Sequence, residues 1–204
     1  MKEILIMRHG ESVADIENRL EGKADFALTD LGVRQAEITS QWINKHYNLD
    51  LIIASTLKRA SKTAQILAIE TGAKLQFDER LKEMDNGVLA GLLKTEADIK
   101  YPFPEDGRNY DEPIPGGESI LLFQQRVETF WNRLIQRLFA NNELDRICLV
   151  AHGKTIAMLF RCFLKLPPES NFWVATGDTG VHLLRFTTEE RLIVFSNYEP
   201  AKHK

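Results

Sequence analysis

The chain has 204 residues, 44% of them hydrophobic and 27% charged, which suffices for one substantial core and not for two full domains. Disordered, collagen-like and fibrous classes are excluded by that balance. A formal net charge of -3 removes any global pull toward nucleic acid or an anionic membrane, so neither is expected as a partner. Two cysteines, Cys148 and Cys162, each sit in an apolar run and read as reduced core residues, not as a disulfide or a Cys-rich zinc site.

In chain order, the opening MKEILIMRHGES holds an apolar run too short for a signal segment, and no stretch of eighteen apolar residues occurs; a cytoplasmic location is expected. Glu3–Met7 predicts a buried strand. Thr29 is placed to cap a helix over Leu31–His46, in which Ala36, Ile38, Trp42 and Ile43 share a side. Leu51–Ala54 predicts a second strand, and Lys58–Thr71 a helix with Ala60, Ala64, Leu67 and Ala68 on one face and Gly72 at a left-handed cap. Lys74–Phe77 predicts a third strand. From about Asp85 to Glu118 the chain is irregular and rich in Gly and Pro, and reads as an insertion lying over the site described below. Ser119–Asn141 is the longest expected helix, striped by Ile120, Phe123, Val127, Phe130, Leu134 and Leu138. Ile147–Ala151 predicts a strand, and Lys154–Leu166 a helix stopped by Pro167 and Pro168. Gly180–Phe186 and Arg191–Ser196 read as a closing hairpin. The alternation predicts one α/β domain over residues 1–204: a three-layer sandwich with a mostly parallel central sheet, an antiparallel C-terminal hairpin and helices on both faces.

Two histidines, His9 and His152, stand directly after predicted buried strands, and each is followed by glycine. In open α/β sheets ligands bind beyond the carboxyl ends of strands. Folding would therefore bring these imidazoles to one rim, joined by Arg8 and by Arg59 from the helix after the second strand. Two guanidiniums and two imidazoles on an acidic protein require a counterion. A phosphoryl group answers that need, through bidentate arginine contacts and the N-terminus of the helix near Lys154; a carboxylate or sulfate is the alternative. Positive charge and the lack of HxH, HExxH or a Cys cluster argue against a metal, and no cofactor is expected.

The residues that carry this argument also match a family. Arg8-His9-Gly10-Glu11-Ser12, Leu28-Thr29-Asp30-Leu31-Gly32, Ser55-Thr56-Leu57-Lys58-Arg59-Ala60, Leu81-Lys82-Glu83, Gly117-Glu118-Ser119 and Val150-Ala151-His152-Gly153 resemble, in order, the phosphoglycerate mutase-like branch of the histidine phosphatase superfamily. The resemblance implies that His9 is transiently phosphorylated, that Arg8, Arg59 and His152 line the phosphate pocket, and that Glu83 is the proton donor, with Asp85 as its rival. It also makes Ser12, Asp15, Glu21, Gly22 and Gly153 candidates for phosphate or substrate binding. The expected activity is metal-independent hydrolysis of a small phosphorylated metabolite. A mutase and a catalytically idle phosphate-binding module are the alternatives, and a homodimer is as compatible with the sequence as a monomer.

Two positions depart from the family pattern. Asp15 stands where Asn is usual, and Glu21 replaces a small polar residue before Gly22. A carboxylate about 4 Å from a phosphoryl charge is repelled by roughly 4 kcal/mol at an effective dielectric near 20. Asp15 is therefore expected to turn away, be protonated, be neutralised by a cation such as Arg19, or meet a donor on the substrate. The insertion adds Asp98, Glu105, Asp106, Asp111, Glu112 and Glu118 against Lys100 and Arg108, poor surroundings for a polyanion.

Overall fold

The computed structural model describes residues 1–104, 107–167, 170, 172–187 and 189–202. Six strands form one sheet: β1 (Lys2–Arg8), β2 (Leu51–Ala54), β3 (Lys74–Phe77), β4 (Arg146–Ala151), β5 (Val181–Phe186) and β6 (Arg191–Tyr198). Their order is β3-β2-β4-β1-β5-β6. The first four run parallel, and β5 and β6 pair antiparallel, as the alternation and the terminal hairpin predict.

The helices are α1 (Val13–Ile16), α2 (Asp30–His46), α3 (Lys58–Thr71), α4 (Lys94–Lys100), α5 (Ile120–Ala140) and α6 (Gly153–Leu164). Alternate residues of β1 identify the two faces. Ile4 and Ile6 join a core with Phe123, Val127 and Phe130 of α5 and Ile156 and Phe160 of α6. Leu5 and Met7 join a second core with Ile43 of α2 and Ala60, Ala64 and Leu67 of α3. Because successive strand side chains point to opposite faces, a strand apolar at every position must be covered on both.

Local chemistry sets the element ends. The Thr29 side chain accepts from the Gly32 amide and starts α2, Ser119 does the same for α5 through Leu122, and Gly72 ends α3 at φ 71°. The expected end of the last helix needs correction. α6 stops at Leu164, where Lys165 turns left-handed (φ 54°) and the Leu166 amide reaches the Arg161 carbonyl. The chain is thus out of helix before Pro167, as the residue before a proline prefers; Pro168 lies outside the described residues, as do Glu105, Asp106 and His203.

The 85–118 segment contains a 3₁₀ turn at Gly87–Leu89 and α4, which was not anticipated. Its neck is closed by reciprocal bonds: the Asp85 amide donates to Glu118 Oε2, and the Glu118 amide donates to the Asp85 carbonyl. Gly117 is required there, since a Cβ would meet the Asp85 carbonyl. Further out, the Leu20 amide donates to Leu92 and the Gly91 amide to Leu20, which ties the segment to the loop carrying Glu21 and Gly22.

Candidate active site

Register alone brings the two histidines together. In the β1–β4 pairing Arg8 lies opposite Ala151, so the next residues, His9 and His152, leave the sheet side by side. Their ring centroids are 5.1 Å apart, and both side chains are fully buried. On the other side of β4, Ala54 pairs with Val150, which delivers Ser55 to the same edge. A close backbone crossing fixes the turn after His9: a Cβ on Gly10 would collide with the Gly32 carbonyl, and one on Gly32 with the Glu11 carbonyl.

The proton positions on His9 follow from its partners. Nδ1 lies 2.8 Å from the Gly10 carbonyl oxygen, which can only accept, so Nδ1 carries the hydrogen. Nε2 then accepts from Arg59 Nε at 3.3 Å and presents a lone pair. Burial, with the nearby charges of Arg59 and Arg8, holds the His9 pKa well below the ordinary imidazole range, so the ring stays neutral.

His152 is likewise held neutral, by burial first and then by Arg59. Its Nε2 lies 2.8 Å from Ser55 Oγ. That hydroxyl already accepts from the Leu57 amide. With Ser55 donating to Nε2, the His152 hydrogen sits on Nδ1, a buried atom with no partner among the described residues.

Arg59 is fully buried and anchored by the carbonyls of Ala24 and Gly22, each at 2.9 Å, so Gly22 acts through its backbone. Arg8 reaches the Thr176 carbonyl at 2.8 Å and lies 3.4 Å from Asp178 and 3.7 Å from Asp15. Asp15 is held by the backbone: its Oδ2 accepts from the Ser12 amide and completes a capping box on α1. The cation beside it is Arg8. Arg19 instead pairs with Glu17 and the Gly91 carbonyl, which corrects the expectation that it neutralises Asp15. Ser12 caps α1 and donates its hydroxyl to Glu21 Oε1 at 2.6 Å.

Glu83 faces the start of α6, accepting from the Lys154 amide at 3.0 Å, the Met84 amide at 2.9 Å and the Thr155 hydroxyl at 3.2 Å. Its rival Asp85 is held by the Gly87 amide and Lys23. Gly153 opens α6, and open space surrounds the position its Cβ would take. Thr179, just before β5, accepts from the Thr39 hydroxyl in the core. His182 does not enter the site; it is held between Thr176 and Ser196. Thr63 in α3, which carries no role in the sequence reading, accepts from the Gly10 amide; the roles of Ser55 and Asp178 are likewise new, marked in the sequence only by nearness to strand ends.

Two of the insertion's acids are engaged by arginines. Glu118 is gripped by Arg126 at 2.7 and 2.9 Å, and Glu112 lies 3.8 Å from Arg108. A cavity of about 890 Å³ lies at the opposite end of the sheet, beside Phe186, which pairs with Lys2 at the start of β1. It is remote from the histidines.

The sheet rim thus carries a neutral, oriented imidazole beside a second imidazole and two arginines, a set suited to holding an anion. The profile of the histidine phosphatase superfamily (branch 1) matches residues 4–199, and the chain belongs to that family. It is 31% identical over 191 residues to a 2,3-bisphosphoglycerate-dependent phosphoglycerate mutase of Cytophaga hutchinsonii, covering 91% of this chain and 88% of that one. It is 33% identical to phosphoglycerate mutase-like protein 4 of Arabidopsis thaliana over 78% of this chain and 69% of the relative. Among solved structures, mycobacterial glucosyl-3-phosphoglycerate phosphatase with VO3 superposes with a TM-score of 0.79 at 28% identity, covering 97% and 99% of the two chains. The α-ribazole phosphatase of Shigella flexneri, at 24% identity and a TM-score of 0.81 over 97% and 96%, shares the fold.

Proposed function

We propose that the protein is a phosphomonoesterase that hydrolyses a small phosphorylated metabolite through a phosphohistidine on His9. The observation that carries this reading is the hydrogen bond from Nδ1 to the Gly10 carbonyl, which leaves His9 Nε2 as a lone pair beside Arg59. In the proposed reaction Nε2 attacks phosphorus and the ester oxygen departs. The negative charge on the equatorial oxygens is met by Arg59, Arg8 and the Nδ1 hydrogen of His152. Glu83 supplies the proton to the leaving oxygen and then takes one from the water that attacks phosphohistidine, a contribution on the order of 10²–10⁴-fold. No metal takes part in these steps.

Phosphoryl return to substrate, as in a mutase, is the second reading, favoured by the names of the curated relatives. Overall length does not separate the two, because the mutase of Cytophaga hutchinsonii is matched over most of its own length. The deciding experiment incubates the protein in chelator-treated buffer with a panel of phosphomonoesters that includes 3-phosphoglycerate, and follows both inorganic phosphate and positional isomers. Phosphate release is expected; isomer formation without release makes the protein a mutase. Phosphate binding with neither product makes it an idle module.

A further inference from the structure

Glu21 stands where a phosphoryl group would stand. Its Oε1 accepts the Ser12 hydroxyl at 2.6 Å and lies 3.2 Å from Arg59 Nε, while Oε2 lies 3.7 Å from His9 Nε2. The side chain is only 15% exposed. The buried guanidinium and the nucleophilic imidazole therefore already share an anion that belongs to the chain. The other arginine offers little relief, since Arg8 lies between Asp15 and Asp178. With Glu21 ionised, three carboxylates stand against two guanidiniums around the pocket.

A dianion cannot share Arg59 with that carboxylate, so its entry must either eject or neutralise Glu21. The fold favours neutralisation. The loop bearing Glu21 is pinned on both sides, by Arg59 on the Gly22 carbonyl and by the Leu20–Leu92 pairing, and Gly22 packs against Asn86. The charged and titratable groups facing Glu21 are Arg8 and His9 at the end of β1, Asp15 in α1 and Arg59 in α3, with His152 beyond His9. Burial already raises the Glu21 carboxyl above its ordinary range, against the opposing pull of Arg59 and Ser12.

We propose that Glu21 is the resident anion of the pocket and its proton-uptake group. An incoming phosphoryl dianion displaces the carboxylate from Arg59 and Ser12, and the carboxyl takes one proton from solvent and donates it in a hydrogen bond to a phosphoryl oxygen. This rests on the phosphate-pocket reading above and adds a consequence to it: the site grips dianions at low pH and releases them as pH rises.

Sulfate is the probe, because it carries no proton of its own near neutrality. Titration calorimetry in two buffers of different ionisation enthalpy counts protons taken up on binding. For the wild type, one proton more is expected than for Glu21→Gln, with sulfate Kd weakening by about one additional tenfold step per pH unit between pH 6 and 7.5. Glu21→Gln is expected to bind sulfate about tenfold or more tightly at pH 7.5; any uptake left in it belongs to the other groups around the pocket, His9, His152, Asp15 and Asp178. Infrared difference spectra of the wild type on adding sulfate should show a carboxylate band converted to a carboxylic acid band, which needs no variant to fold. Equal affinity and equal uptake in the two proteins, tighter binding with undiminished uptake, or no new acid band overturns the inference while leaving phosphatase activity untouched. Failure of both proteins to bind sulfate overturns it together with the phosphate-pocket reading.

Discussion

His9, His152 and Arg8 were legible because they stand at strand ends, which apolar runs predict, and Arg59 because it opens the helix that follows such an end. What each carboxylate does was not legible. Asp15 could be placed only after the capping box and the Arg8 contact were seen, since a carboxylate that caps a helix and one that faces a ligand have the same sequence. Asp15→Asn keeps a cap acceptor but frees Arg8 from a neighbouring charge. It is therefore expected to strengthen inhibition by inorganic phosphate severalfold with little change in Tm, which steady-state inhibition and a thermal melt would check. Ser55→Ala removes the donor that places the His152 hydrogen on Nδ1. A fall in kcat of about tenfold is expected, with KM moving less, if that hydrogen matters more in the transition state than in the substrate complex.

Helices long enough to show a repeating stripe were predicted nearly to the residue, because capping chemistry coincided with the apolar pattern: Thr29 before α2, Gly72 after α3 and Ser119 before α5. α4 was missed for the opposite reason. Seven residues beginning without a side-chain cap carry no stripe to count, and its start is fixed by the distant pairing of Arg19 with Leu93. Also hidden was the crossing of the Gly10 turn over the N-terminus of α2, a contact between segments about twenty residues apart. Gly32→Ala should lower stability by about 1–3 kcal/mol through overpacking, measured by urea unfolding. It should also lower kcat, because the turn it displaces holds the carbonyl that orients His9. Unchanged activity in a destabilised variant would separate the crossing from the chemistry.

Among the described residues, the buried histidines His9, His152 and His182 are kept neutral by the fold. Burial pushes His182 down to about 4, and in the unfolded chain it titrates near its ordinary 6.5. Between those values the unfolded chain binds the extra proton, so the stability tied to neutral His182 is complete above pH 6.5 and is lost as pH falls through about 4. Its full size is roughly 3 kcal/mol. Unfolding free energy should therefore drop steadily from pH 7 to pH 5 in denaturant titrations. The same depression keeps His9 deprotonated in mildly acidic solution, so turnover at pH 6 should not show the loss expected of an ordinary imidazole.

Two imidazoles 143 positions apart are folded side by side, and the proposed chemistry puts the phosphoryl group on His9. Rapid mixing with a phosphorus-labelled monoester, an alkaline quench that preserves phosphoramidates and peptide mapping test it most directly. Acid-labile label is expected on the peptide containing His9, formed and lost at rates compatible with turnover and absent from His9→Ala. Turnover without label on that peptide, or label retained in His9→Ala, would contradict it.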